Sequence, residues 1–464
     1  MQRDYYIEYY EFVDKLLWEF VDEIKILYPE AFQVGAHSCE IAVVGCMYFD
    51  RYCSFAKESY SRLRNNGQNE EEVQRIYKNE LAKIVNKSFS QPAIVMSKNN
   101  EILNTLLQPF RHCILVHIIN KRQLDYLTPL IRHFNQPVLL VSDYELPDET
   151  DFPDSITAVH MGFLKEKYFS PFLYQHFPYV YHYCNTYDQL LNILQPSCTI
   201  VLEGGNFQQE IIAVISKNLS IPCVCIQQGW PSVFHSNWLN LQYAYFFTWG
   251  NMFNDLFKTH NPMLQYVPVG YIYQVLPSKP KRYVTFFMQS LIGLGDQNIF
   301  QSILDLLFQC AALCPASEFC IREHPSYRLP EEELKRLQKL GNIKVVTNEP
   351  LADVFAETIL AVSHYSSCLM EGIVHECIPF VFDPVCDSRY YPDVEKMGLG
   401  IIASSTTEAL EKMQEFLMNP LQRAHFSRKM NEMKSSLFTS FGYDALNKIV
   451  ENINKIVDMK YCTK

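Results

Sequence analysis

Thr199 to Gly229 reads TIVLEGGNFQQEIIAVISKNLSIPCVCIQQG, and the alternation inside this stretch decides the fold. Two short runs, Thr199–Glu203 and Cys223–Gln227, are apolar on both faces, as strands of a parallel sheet covered by helices on both sides must be. A helix beginning near Phe207 separates them. Strand, helix, strand is the building unit of a doubly wound α/β domain.

The same alternation extends outward in both directions. Runs at Ala93–Ser97, Cys113–Ile118, Val138–Ser142, Tyr243–Thr248 and Tyr266–Val269 complete a first series. Pro277-Ser-Lys-Pro-Lys-Arg282 interrupts it with two prolines and three cations. A second series follows at Tyr283–Gln289, Phe319–Glu323, Lys344–Thr347, Ile359–Ser363, Phe380–Asp383 and Gly400–Ala403. The expected fold class is α/β with two Rossmann-like domains, residues 91–276 and 283–440, and a ligand cleft between their strand C-terminal ends. Residues 1–90 read as helices, over Tyr5–Leu27 and Glu70–Val85, packed on the first domain as a lid, an acceptor-recognition insert or a cap. Thr406 to Met459 is helical with breaks at Asn419-Pro420 and Phe441-Gly442. Residues 441–464 are expected to form a helix crossing back to the first domain.

The chain has 464 residues, 48% of them apolar, and 40 basic residues against 51 acidic ones give it a formal charge of −11. It is long enough for more than one core. No long basic run offers a footprint for nucleic acid. The longest uncharged apolar stretches, such as Ile41–Phe49, fall short of the roughly 20 residues that span a bilayer. The opening Met-Gln-Arg-Asp-Tyr-Tyr-Ile-Glu lacks the apolar core and cleavage site of a secretory signal, so a cytoplasmic protein without a transmembrane segment is expected. None of the 15 cysteines sits in a Cys-x-x-Cys pair. Most lie in apolar runs such as Pro222-Cys-Val-Cys-Ile226 and read as reduced core thiols, with no metal site implied.

Several strand ends carry chemistry. Ile359–Ser363 runs into His364-Tyr-Ser366-Ser367-Cys-Leu-Met-Glu371-Gly372, where backbone N–H groups and serine hydroxyls suit a phosphate and Glu371, one helical turn on, can reach toward ribose hydroxyls. A plain serine N-cap with an exposed glutamate is the alternative. In Arg322-Glu323-His324-Pro325 the proline stops a strand, leaving His324 to donate to a phosphate oxygen and Arg322 to add a charge-assisted bond; an ordinary loop histidine is the alternative. Gly293-Leu-Gly295-Asp296 lets backbone approach a donor, although Asn298 takes the place of a third glycine and Asp296 suits a helix N-cap. Glu203, at a strand end before Gly204-Gly205, is a candidate general base, or else a carboxylate capping the next helix. Gln227-Gln228-Gly229-Trp230-Pro231 and His235 offer amide and aromatic contacts to a sugar, or form a turn.

Together these pieces resemble the GT-B glycosyltransferases of bacterial surface-polysaccharide assembly, especially those using CMP-activated sialic acid or Kdo. There is a looser likeness to CDP-glycerol glycerophosphotransferases. Residues 93 to 450 carry the resemblance. His324-Pro325 looks like the HP motif of that group and Ser366-Ser367 like its serine motif, which contact the cytidine nucleotide. Leu202-Glu203-Gly204 is similar to an incomplete form of an acidic motif whose acid is the catalytic base, with Leu202 at its first acidic position. Gln227-Gln228-Gly229, Thr248-Trp249-Gly250 and Val267-Pro268-Val269-Gly270 resemble strand ends of the wider group, which includes UDP-GlcNAc 2-epimerase relatives.

The resemblance implies a metal-independent glycosyltransferase without a cofactor, moving a sugar from a nucleotide-sugar donor to a glycan or glycolipid acceptor of lipopolysaccharide or capsule biosynthesis. A lipid-linked acceptor would bring peripheral contact with the inner face of the membrane. A 2-epimerase-like enzyme, a glycerophosphotransferase-like enzyme and a non-catalytic nucleotide-sugar binding protein are the competing readings.

Overall fold

The computed structural model describes residues 2–49, 71–72, 75, 79, 105, 107–144, 146, 155–160, 173, 177–203, 206–229, 239–273, 275–277, 279–289, 297–325, 328–364, 366–384 and 394–462. The expected strand at Ala93–Ser97 and most of the expected helix at Glu70–Val85 lie outside them. The chain divides into two compact units: an N-terminal unit of residues 7–249, 253–270 and 444–464, and a C-terminal unit of residues 1–6, 250–252 and 271–443.

The N-terminal unit opens with helix α1 (Gln2–Leu27), a hairpin of β1 (Gln33–Val34) and β2 (His37–Ser38), and α2 (Glu40–Phe49). Its sheet takes β3 (Ile114–Ile118), β4 (Val138–Ser142), β5 (Ile156–His160), β6 (Cys198–Leu202), β7 (Cys223–Ile226), β8 (Tyr245–Thr248) and β9 (Gln265–Pro268), crossed over by α3 (Lys121–Ile131), α4 (Pro178–Leu194), α5 (Phe207–Asn218) and α6 (Asn251–Lys258). The order is β5-β4-β3-β6-β7-β8-β9, parallel throughout. Every residue of β3, β4, β6 and β7 is buried, the burial that strands covered on both faces require.

The C-terminal unit contains β10 (Tyr283–Phe287), α7 (Gln297–Leu313), β11 (Glu318–Arg322), α8 (Glu331–Gln338), β12 (Ile343–Val346), α9 (Leu351–Glu357), β13 (Thr358–Ser363), α10 (Cys368–Val374), β14 (Ile378–Phe382), β15 (Ile401–Ala403), α11 (Thr406–Met418) and α12 (Pro420–Leu437). Its six parallel strands run β12-β11-β10-β13-β14-β15. Numbered from the first strand of each unit, both sheets start 3-2-1-4-5-6, the Rossmann order. The expected fold class, α/β with two Rossmann-like domains, is the one the chain adopts.

Local chemistry fixes the helix boundaries. The Asn120 side chain accepts from the Gln123 N–H at 3.0 Å and starts α3. Ser405 caps α11 while Glu408, three residues on, accepts the Ser404 N–H at 2.8 Å, close to a capping box. Asn419 accepts from Leu421 and Gln422, and Pro420 occupies the first turn of α12, so the expected break falls there. The last helix, α13 (Gly442–Cys462), begins at a glycine with φ +51, a conformation that costs a side chain more. From residue 444 it belongs to the N-terminal unit.

Two features depart from the sequence reading. β5 was not among the expected strands: it lies at the sheet edge, paired on one side only, and carries Thr157 and His160 instead of reading as a fully apolar run. The division between units falls at Gly270/Tyr271, ahead of the proline-rich segment. There the Tyr271 N–H donates to Ser440 O and its carbonyl accepts from Gly442, so the backbone is already tied to the C-terminal unit before Pro277.

One buried titratable group in each unit opposes the other in its pH dependence. Burial raises Glu210, on α5, to about 7, against a hydrogen bond from the Tyr243 hydroxyl. Burial and the charges of Lys281 and Lys434 lower His375, stacked on Phe355, to about 4. A carboxyl with a raised pKa costs stability as pH climbs from its unfolded value toward 7, and a histidine with a lowered one costs stability as pH falls from 6.5 toward 4. Each effect is worth up to ~3 kcal/mol. Hydrogen exchange between pH 4.5 and 6.5 should therefore show α5 protection falling and α10 protection rising with pH. Glu210→Gln should flatten the first trend only and His375→Phe the second only.

Candidate functional site

In a sheet of Rossmann order, the loops leaving the first and fourth strands turn to opposite faces and leave a crevice beyond their C-terminal ends. In the C-terminal unit these strands are β10 and β13, locked side by side where the Ser363 hydroxyl donates to Phe287 O at 2.7 Å. Beyond β13 comes the serine segment. His364 is buried, and its Nδ1 donates to Phe382 O at 2.9 Å across to β14. Ser366 Oγ accepts from the Cys368 N–H at 3.3 Å. Ser367 is half-buried at the start of α10 and makes no side-chain capping bond.

Glu371 does not have the exposure that a plain N-cap reading gives it. It is 6% exposed, and its carboxylate accepts from the Tyr271 hydroxyl at 2.8 Å. The exposed-glutamate alternative does not hold. Tyr271 itself is buried against Phe438 and Tyr273, so the chain entering the C-terminal unit is fastened to the serine helix.

At the end of β11, next to β10, Arg322 does different work from the phosphate contact expected of it. Its guanidinium donates to Glu323 O at 3.0 Å, to Glu349 O at 3.1 Å and to Thr347 O. A cation that is 8% exposed needs acceptors, and here the backbone leaving β12 supplies them. Desolvation lowers its pKa. Glu323 is equally committed, accepting from the Leu329 N–H and the Thr347 hydroxyl, both at 2.7 Å. His324 is half-buried and Pro325 exposed at the same edge of the sheet. The structure thus gathers His324, Ser366, Ser367 and Glu371 along one strand-end edge. Gly293, Gly295 and Asp296 lie outside the described residues.

In the N-terminal unit Glu203 ends β6, the fourth strand, beside β3, the first. Its carboxylate accepts from the backbone N–H of Gln228 at 3.1 Å and of Gly229 at 2.9 Å, so it ties the end of β6 to the start of the loop after β7. That loop is fixed from other sides as well. Gln227 donates to Gly229 O at 2.9 Å and accepts from the Trp249 N–H at 2.8 Å, while the Tyr126 hydroxyl donates to Gln227 O at 2.7 Å. Gln228 and Gly229 are therefore held in place at the start of the loop. His235, Trp230, Gly204 and Gly205 lie outside the described residues.

Sequence reasoning missed a polar group at this edge. His117, fully buried in β3, donates from Nε2 to Asp143 at 3.1 Å, and Asp143 accepts the Tyr187 hydroxyl at 2.9 Å. His182, also on α4, has its pKa lowered by burial against the opposing charge of Asp143. One histidine within an apolar run was the available signal.

No protein-family model matches the chain and no curated protein matches its sequence. Solved structures do resemble it. UDP-GlcNAc 2-epimerase from Neisseria meningitidis bound to UDP-GlcNAc is 12% identical over 74% of this chain and 99% of that chain, with a TM-score of 0.47. MurG from Acinetobacter baumannii is 13% identical over 74% and 99%, with a TM-score of 0.46. A variant of the wall teichoic acid polymerase TagF is 12% identical over 84% and 98%, with a TM-score of 0.49.

The committed bonds of Arg322 and Glu203 have measurable consequences. Arg322→Met removes the guanidinium donor of the Glu323 and Glu349 carbonyls, while Thr347 O keeps Arg328 as a donor, and should cost about 2–4 kcal/mol in urea unfolding. Glu203→Gln sets an amide N–H against one of two backbone N–H donors and should cost about 1–3 kcal/mol.

Proposed function

We propose that the chain is a nucleotide-sugar-dependent glycosyltransferase. The observation that carries this reading is the strand-order reversal between β10 and β13, with Ser366 and Ser367 on the segment that leaves it. Ligands of open α/β sheets bind at that position. The Ser367 hydroxyl suits a phosphate oxygen, His324 can donate to a second, and in this reading Gly293 and Gly295, which follow β10 in the sequence, would let a donor come close to the backbone. Glu371 accepts from Tyr271 and so helps set the placement of the serine helix; in this reading its other carboxylate oxygen meets a ribose hydroxyl.

In this reading Glu203 is the base that takes the proton from an acceptor hydroxyl. Two backbone N–H donors orient its carboxylate, and a carboxylate oxygen that accepts one N–H can also accept a hydroxyl. Gln228, Gly229 and His235 then meet acceptor or donor sugar hydroxyls. In this reading charge that develops on the departing phosphate would be offset by His324 and the Ser367 hydroxyl, with no metal taking part. A CMP-linked sugar of the Kdo or sialic acid kind is the proposed donor, supported by the His324-Pro325 and Ser366-Ser367 pairs. A lipid-linked glycan on the cytoplasmic side is the proposed acceptor; among the described residues no helix is long and apolar enough to cross a membrane.

Thermal unfolding with CMP, CDP, UDP and GDP tests the donor site, because a ligand that binds only the folded protein stabilises it by about 2.7 kcal/mol at 100 times its Kd. The expected result is a rise in midpoint with CMP that is lost in His324→Ala and Ser367→Ala. A preference for UDP would replace the CMP donor with a UDP-sugar, and no rise with any nucleotide would overturn the site. Turnover of Glu203→Gln equal to wild type would remove Glu203 from the chemistry.

A further inference from the structure

The N-terminal unit carries a second recess, of about 680 Å³, at the other edge of its sheet. Val214, Lys217 and Asn218, on one face at the C-terminal end of α5, form one wall, and Asn240 and Gln242, just ahead of β8, form another. Because α5 leaves the C-terminal end of β6 and returns to the start of β7, its last turn stands at the N-terminal edge of the strands. Glu203 and the 227–229 loop occupy the opposite edge. The remaining walls are α1, the β1–β2 hairpin and the start of α2.

We propose that this recess binds a neutral saccharide, independently of the donor site proposed above. Three features of its chemistry point that way. Its size lies within the roughly 300–1,000 Å³ of small-molecule sites. Trp18 lines it with Ile41 and Val214, giving an apolar side suited to the C–H face of a sugar ring, while Gln33, Ser38, Asn218, Asn240 and Gln242 bring both donors and acceptors for hydroxyls. The charges disfavour an anion. Asp14 lines the recess as a carboxylate, and the cations beside it are already engaged: Lys25 pairs with Glu40 at 2.9 Å and Lys217 donates to Gln242 at 2.9 Å.

The walls are already organised, so a ligand would not have to order them. His37, almost fully buried, donates from Nε2 to Asp188 at 2.7 Å and accepts at Nδ1 from the Asn218 side chain at 2.9 Å. The same amide donates to Ala36 O at 3.2 Å, pinning the hairpin to α5. Lys25 pairs with Glu40 at 2.9 Å and the Ser38 hydroxyl donates to Glu40 at 3.3 Å, holding α1, the hairpin and α2 together. On the far wall Gln242 donates to Asn240 O at 2.7 Å and accepts from Lys217, which leaves its position set from both sides.

Saturation-transfer NMR on the full chain with maltotriose, chitotriose and lactose tests the proposal at millimolar concentration, with CMP reporting the donor site separately. The expected result is transfer to at least one of the sugars, weakened about tenfold or more in Trp18→Ala and in Ala36→Trp, which fills the recess from its exposed rim. Ser367→Ala should leave sugar binding unchanged, so loss of the donor site and loss of this site are read separately. Thermal midpoints report whether each variant is folded, and Ala36→Trp decides the matter if Trp18→Ala is not. No transfer from any of the sugars, or transfer that persists unchanged in the folded filling variant, would overturn the proposal.

Discussion

Both units depend on a first strand that is hydrogen-bonded on both sides by parallel neighbours. β3 lies between β4 and β6, and β10 between β11 and β13. Parallel neighbours need crossovers, and crossovers from a central strand leave it toward opposite faces of the sheet. The helices this produces bury both faces, which is why the central strands are uninterrupted apolar runs. The same constraint opens a gap beyond the C-terminal end of each central strand, where no crossover passes. Fold and candidate site are thus two results of one pairing pattern.

Polar side chains buried at these strand ends give the gap its shape. Arg322 reaches the backbone leaving β12, Glu203 reaches the loop after β7, and Gln227 reaches both Gly229 and Trp249. Each joins segments that are neighbours in the sheet and distant in the chain. A buried charge whose partner is removed costs more than the bond was worth, because its desolvation is no longer offset. Substitutions at Arg322 and Glu203 therefore report on loop position as well as on chemistry. Ser367, half-buried and without a side-chain capping bond, is a cleaner probe of ligand contact.

What was legible in the sequence was local. Asn419-Pro420 announced a helix boundary because the cap and the proline act within one turn, and the apolar runs announced strands because burial on both faces leaves no room for alternation. The order of strands was inferred only as a class, since parallel pairing joins segments whose sequences do not name each other. The uses of Arg322 and Glu203 were illegible for the same reason: their partners, at 347–349 and 228–229, become neighbours only when the sheet forms. β5 escaped because an edge strand need not be apolar on both faces. His117 escaped because a single histidine in a buried strand carries no spacing signal, and only the fold brings Asp143 and Tyr187 to it.

The two edges of the N-terminal sheet also differ in electrostatic character, for a reason fixed by the topology. Helices that follow parallel strands point their N-termini toward the strand C-terminal edge and their C-termini toward the other. The first edge is suited to anionic groups, the second to neutral or cationic ones. α5 spans both, with Glu203 and Gly229 near its start and the Trp18 recess at its last turn. Asp14 at the recess adds to the negative end of that dipole, while Glu40 is paired with Lys25. A phosphate-bearing ligand is thereby directed away from the recess, and the uncharged hydroxyls of a saccharide are the groups its mixed donors and acceptors can satisfy.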